Sequence, residues 1–405
     1  MLSLRLTRGA HPLVLLRRLL VALASAAAGF LLLSALGFAT AHPKAGQEAL
    51  VRLLWCAVPL AAVVHFAVTV ARGDPATRPR DGLDALGFGP ARMAALAATT
   101  SAVCCALGSA LALPAYLELR GDLGGTPLSG RAAGLLDAGT PLPWGATVTL
   151  LGLAPALSAA ACLLLLYPRG ERRRGARHAA GDTAPAVPGV PQEPRPAYTG
   201  LPWGVALTAC GFALEAYTGH GPAPEPHALL TLPGQGGGTS PGLLGGWLLA
   251  LLGVVLAGPG ITHWSGTLLA AGRPGPVRLL AGRILQDAAR RIGRPLGVLC
   301  AVASGALAAA ELYGAGWDGG GARPFGPLTG LGAAVVMACV TATAITASLD
   351  TRHARHRTVA ALERLGIPAS LLRGAAAVRT GVLLLVLAPL TWVVAELTVL
   401  PLNRS

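Results

Sequence analysis

Polar residues in this chain are confined to short intervals between long apolar runs. A helix needs roughly 20 apolar residues to cross a bilayer. Nine runs are near that length, at 19–40, 49–71, 92–115, 144–167, 200–218, 242–268, 295–313, 328–349 and 374–398. The fifth and seventh are the shortest. The sixth is overlong and carries Pro259-Gly260, where a kink or break is expected. None shows the strict alternation of a half-buried strand. The pattern therefore predicts an all-α polytopic membrane protein with about nine transmembrane helices.

Composition agrees. Hydrophobic residues make up 53% of the 405 residues and charged ones 12%, about half the share of a soluble domain. The net charge of +14 raises the question of nucleic acid, and its placement answers it. With the N-terminus in the cytoplasm, 26 of the 32 basic residues fall on the inner side. That is the positive-inside bias of a multi-pass protein. It gives a chain in the plasma membrane, with a cytoplasmic N-terminus, an extracytoplasmic C-terminus, the bilayer as surroundings and no nucleic-acid partner. Residues 1–41 imitate a signal peptide, ending in Ala39-Thr40-Ala41. Their apolar run is longer than a usual leader's, so retention is expected.

A shift of about 278 residues superposes runs one to three on runs seven to nine. The intervening loops match too: Leu83, Leu86 and Gly87 fall on Leu362, Leu365 and Gly366. The copies begin six runs apart and so face the same way, as a parallel repeat. Four segments follow. Residues 1–167 form a first repeat of four spans, and 168–199 a Pro/Arg-rich cytoplasmic linker. Residues 200–271 hold two middle spans, and 272–405 a second repeat truncated to three spans.

Two inner segments have helical amphipathicity. Residues 277–294 place Leu280, Ile284, Ala288 and Ile292 on one face, with Arg283, Arg290, Arg291 and Arg294 elsewhere. Residues 352–366 repeat this with Val359, Leu362 and Leu365 against Arg355, Arg357 and Arg364; Gly366 offers a C-cap and Pro368 a stop. Both are expected on the inner membrane surface.

Searches for chemistry return little. The only lysine, Lys44, is not in a phosphate-binding Gly-x4-Gly-Lys-Ser/Thr loop, so the chain is not expected to hydrolyse ATP or act as an enzyme. Gly238 to Gly242 and Gly314 to Gly319 match nucleophile-elbow and dinucleotide patterns by letter, but without a strand before and a helix after. His353 and His356 sit among arginines and read as a solvated face. No cofactor or metal is expected. The seven cysteines all lie in apolar runs, as small packed residues without disulfides. Among intramembrane polar groups, His65 is expected to pack inside, bonding a hydroxyl such as Thr69, and His263 lies near the sixth run's kink. Glu215, Glu311 and Glu396 are placed to reach interfacial water.

A basic helix, a span, an outer loop, a span, and then Leu-x-x-Leu-Gly-hydrophobic with further spans resembles the FtsX-type ABC transporter permeases. The best-matching stretch is Arg355 to Arg373, followed by Leu280 to Arg294. The chain lacks the large extracytoplasmic domain of some members, and its second copy is short. The resemblance implies a transmembrane permease subunit for ATP-driven transport or mechanotransmission. A separate cytoplasmic ABC ATPase, as a dimer, would dock on coupling helices. The docking residues would be Arg78, Arg80, Leu86 and Gly87 in the first copy, and Arg283, Arg290, Arg291, Arg355, Arg357, Leu365 and Gly366 in the second. The alternative is a stand-alone membrane protein, either a secondary carrier or a scaffold.

Overall fold

A computed structural model describes residues 12–73, 90–123, 129–136, 138–166, 200–219, 241–272, 275–318, 327–364 and 368–400. Among the described residues there are nine long helices and no strand. They are α1 (Pro12–Ala41), α2 (Gly46–Gly73), α3 (Pro90–Arg120), α4 (Trp144–Leu166), α5 (Gly200–Gly219), α6 (Pro241–Ala270), α7 (Pro276–Asp318), α8 (Pro327–Arg364) and α9 (Ala369–Val399). Eight are long and apolar enough to cross a membrane. The exception is α5, where Glu215, Pro202 and four glycines dilute a helix of only 20 residues. The chain is a multi-pass, all-helical membrane protein.

The helices form two bundles. In the first, α1 packs on α2, α3 and α4. In the second, α7 packs on α6 and α9, and α5 lies along α6. Helix α8 joins them, touching α1 and α2 on one side and α7 on the other. Its Val335 and Cys339 close a buried cluster with Val21 and Ala28 of α1, Val63 and Phe66 of α2, and Cys105 of α3.

Lipid tails are as apolar as leucine, so hydrophobicity alone does not pull membrane helices together; close backbone approach does. The α5–α6 hairpin shows this at residue level. Gly204, Thr208, Gly211 and Glu215 face Gly246, Ala250, Gly253 and Ala257, both stripes stepping by four, three and four residues. A methyl group at Gly211 would lie 2.6 Å from the Ala250 nitrogen and the Gly246 carbonyl oxygen. Helix α7 continues the pattern, with Gly293 and Gly297 against Gly258 and Gly282 against Gly266.

Two expectations are corrected. Of the kink or break expected at Pro259 the break is absent: α6 is continuous from Pro241 to Ala270, closely packed at this level on α5 and α7. Residues 277–294 are not a separate surface helix. They are the inner half of the 43-residue α7, which runs straight into its membrane span through Pro295. Their apolar face meets protein rather than lipid: Ala281 packs with Leu269 of α6 and Ala375 of α9. With neighbours on two sides the buried stripe becomes Ala281, Leu285, Ala288 and Ala289, while Leu280, Ile284 and Ile292 are half-buried.

The loop after α3 is also more ordered than its glycines suggest. Leu136 folds back onto Leu33 and Tyr116. Arg120, at the α3 C-terminus, is 2% exposed and donates hydrogen bonds to the carbonyl and the hydroxyl of Thr140. It also lies 3.6 Å from Asp122. A cation there faces the carbonyl end of the helix dipole. On the neighbouring hairpin, Arg52 lies over the Phe38 ring, 3.4 Å from its centre, and His42 stacks on the same ring. The exposed Trp144, Trp203 and Trp392 face outward from their helices.

Candidate functional site

The Pro276 end of α7 and the Arg364 end of α8 extend well beyond their apolar spans. The whole of α7 is about 65 Å long, and α8 about 57 Å, against a hydrocarbon core of about 30 Å. The part of α7 before its apolar span, Pro276 to Arg291, accounts for about 24 Å of this. The part of α8 beyond Asp350 accounts for about 21 Å. Each extension continues a spanning helix without interruption of its helical backbone, that of α7 passing through Pro295.

On α7 the face opposite the buried stripe exposes Arg283, Asp287 and Arg294, and Arg278 is exposed in the first turn. Arg290 and Arg291 lie on the same helix, their side chains outside the described residues. On α8, Arg355 and Arg357 are helical, with His353 and His356 between and beside them; these side chains too lie outside the described residues. Leu365 and Gly366 lie outside altogether, as do Arg78, Arg80, Leu86 and Gly87 of the first copy.

At the root of the α8 extension, the Arg17 guanidinium of α1 donates to the Asp350 carboxylate at 3.3 Å. The two side chains are 13% and 31% exposed. The pair crosses from one bundle to the bridging helix, 333 residues away in sequence. The α2 C-terminus crowds against it: a methyl group on Gly73 would sit 2.8 Å from Asp350 Oδ2 and 3.2 Å from Arg17 Nη1. Nearby, Arg18, Thr100, Ser101 and Cys104 line a cavity of about 20 Å³ between α1, α2 and α3. That is room for a water molecule.

The intramembrane groups divide differently from expectation. His65, expected to pack inside, is exposed on α2, and the Thr69 hydroxyl bonds not its ring but its backbone carbonyl, donating at 2.9 Å. His263 is half-buried in the inner half of α6. Glu311 is exposed and Glu396 half-buried near their helix ends. Glu215 is the correction. It is 2% exposed, and neither carboxyl oxygen has a hydrogen-bond partner among the described residues. It was expected to reach interfacial water, but its stripe position turns it into the α5–α6 seam.

No three His, Cys, Asp or Glu side chains cluster as metal ligands among the described residues. Residues 314–318, five of the six in the Gly-x-Gly-x-x-Gly match, are the last turn of α7, not a loop opening a helix. Comparison with protein-family models, with curated proteins and with solved structures returns no match.

Proposed function

We propose that this chain is the transmembrane subunit of an ATP-driven, ABC-type permease or mechanotransmission complex of the plasma membrane. A separate ATPase would drive it by docking on the inner extensions of α7 and α8. The observation that carries this reading is the continuity of those basic extensions with spanning helices. A surface-resting helix ends before its span, and a lever does not. Residue Arg283 would meet the partner directly, and Arg355 and Arg357 would supply charge on the second lever. The chain's own role would be conformational, with no catalytic residue of its own.

The parallel repeat is part of the proposal. Its support is the packing: α1 holds α2 and α3 as α7 holds α8 and α9, and the equivalent helices α2 and α8 meet between them. In this reading α5 also crosses, beside α6, and the N-terminus would lie in the cytoplasm with the C-terminus outside.

Purification from native membranes in mild detergent tests this. An ATP-binding subunit should accompany the protein, and the Arg355→Glu/Arg357→Glu variant should lose it while still inserting. Purification of the protein alone overturns the proposal. The buried Glu215 carboxyl favours a second reading, a stand-alone proton-linked carrier. Uptake into energised vesicles that survives ATP depletion would support that instead.

A further inference from the structure

Among the described residues Glu215 is the only buried carboxyl, and it lies about one turn before α5 ends at Gly219. The α6 side of it is filled. A methyl group on Gly246 would lie 2.8 Å from Glu215 Cγ and 3.0 Å from its backbone nitrogen, so no metal ion or organic ligand fits on that side.

The nearby donors are committed elsewhere. The Thr218 hydroxyl donates to the Leu214 carbonyl at 2.8 Å and the Glu215 carbonyl at 3.2 Å. The Thr208 hydroxyl serves the Gly204 carbonyl at 2.8 Å. Helix α6 carries no titratable or charged side chain from Pro241 to Thr262. Helix α9, which also touches α5, has Glu396 as its one such group beyond Arg379. On α5 itself, Cys210 is exposed and Tyr217 is 80% exposed. No cation faces the carboxyl from any described element packed against it.

An ionised carboxylate buried without a partner is far more costly than a neutral acid in the same place. The smallest species that removes the charge is a proton, and it is the one for which the seam has room.

We propose that Glu215 is a proton-binding site. The carboxyl holds a proton while α5 and α6 are zipped together. It releases that proton to the outer water, leaving a carboxylate, only when the outer end of the hairpin parts. Proton binding is thereby linked to closure of the α5–α6 seam. This rests on neither functional reading above.

Infrared difference spectroscopy of the full chain in lipid nanodiscs tests it. At neutral pH the native protein should show the carbonyl stretch of a protonated carboxylic acid, shifted in heavy water. Glu215→Gln should lose that band completely. Glu215→Met serves as a second neutral variant should Gln disturb the seam. Loss of a carboxylate band instead would show an ionised Glu215 and overturn the proposal. Thermal stability against pH gives an independent readout. The zipped state binds the proton more tightly than the unfolded chain does. Stability from this site is therefore fully present at low pH and lost progressively as pH rises from the ordinary glutamate range to neutrality. The native protein should lose stability there relative to Glu215→Gln, and parallel pH profiles would overturn the linkage.

Discussion

Neighbouring glycines on α6 offer a controlled test of what holds the second bundle together. Gly246 is buried in the α5–α6 seam, and Gly245 is exposed with nothing within 4 Å of an added methyl group. Replacing either by alanine gives the same helix-propensity gain, up to about 1 kcal/mol. Local backbone entropy therefore cancels in the comparison. What remains is the contact. At Gly246 the methyl group would meet Glu215 Cγ at 2.8 Å, the Gly211 carbonyl oxygen at 2.8 Å and the Glu215 nitrogen at 3.0 Å. Two of these are backbone atoms that no rotamer change can move, so the helices must separate. A radial gap of about 0.5–1 Å forfeits a quarter to a half of each dispersion contact along the seam. The methyl group itself returns at most about 0.8 kcal/mol of burial. Overpacking of this kind typically costs about 1–3 kcal/mol. Gly246→Ala should therefore be destabilised and Gly245→Ala neutral or slightly stabilised. Midpoints of denaturant-induced unfolding in a mild detergent measure the order. Equal midpoints for the two variants would refute the claim that backbone approach sets the hairpin.

Two further outcomes are expected. Arg17→Glu and Asp350→Arg should each loosen the inner junction, and the double exchange should recover it, with a coupling of about 0.5–1 kcal/mol for a half-buried pair; engineered cysteines at 17 and 350 should cross-link readily in membranes. Arg120→Ala should loosen the segment 138–143 from the α3 C-terminus at a cost of about 1–3 kcal/mol, because the buried cation bonded to Thr140 is lost; faster proteolysis of that segment with unchanged insertion would show it.

Much of the architecture follows from local pattern. A run such as 328–349 declares a spanning helix because about 20 apolar residues in lipid have one way to satisfy their backbone. The uneven spacing of arginines between the apolar runs gives an expected sidedness by a similarly local rule. Residues 277–294 show where this stops. Their amphipathicity was legible, but a buried face looks alike whether lipid or protein covers it. The short polar interval before Pro295 concealed a continuous helix. Likewise, Glu215 near the end of its run suggested an acid in reach of water. Only the rotation of α5 against α6 decides that it faces the seam.

The sequence by itself determined that this is a membrane protein of long helices with a basic side, since hydropathy and charge act residue by residue. It also supplied the Gly, Ala and Thr stripes that permit close packing, though not their partners. The tertiary structure alone decided that Arg17 meets Asp350, that α8 bridges the bundles, and that one carboxyl lies sealed between two glycine-rich helices. Such pairings join residues up to 333 positions apart. They depend on how each helix is turned about its axis, which contacts among all nine helices decide together.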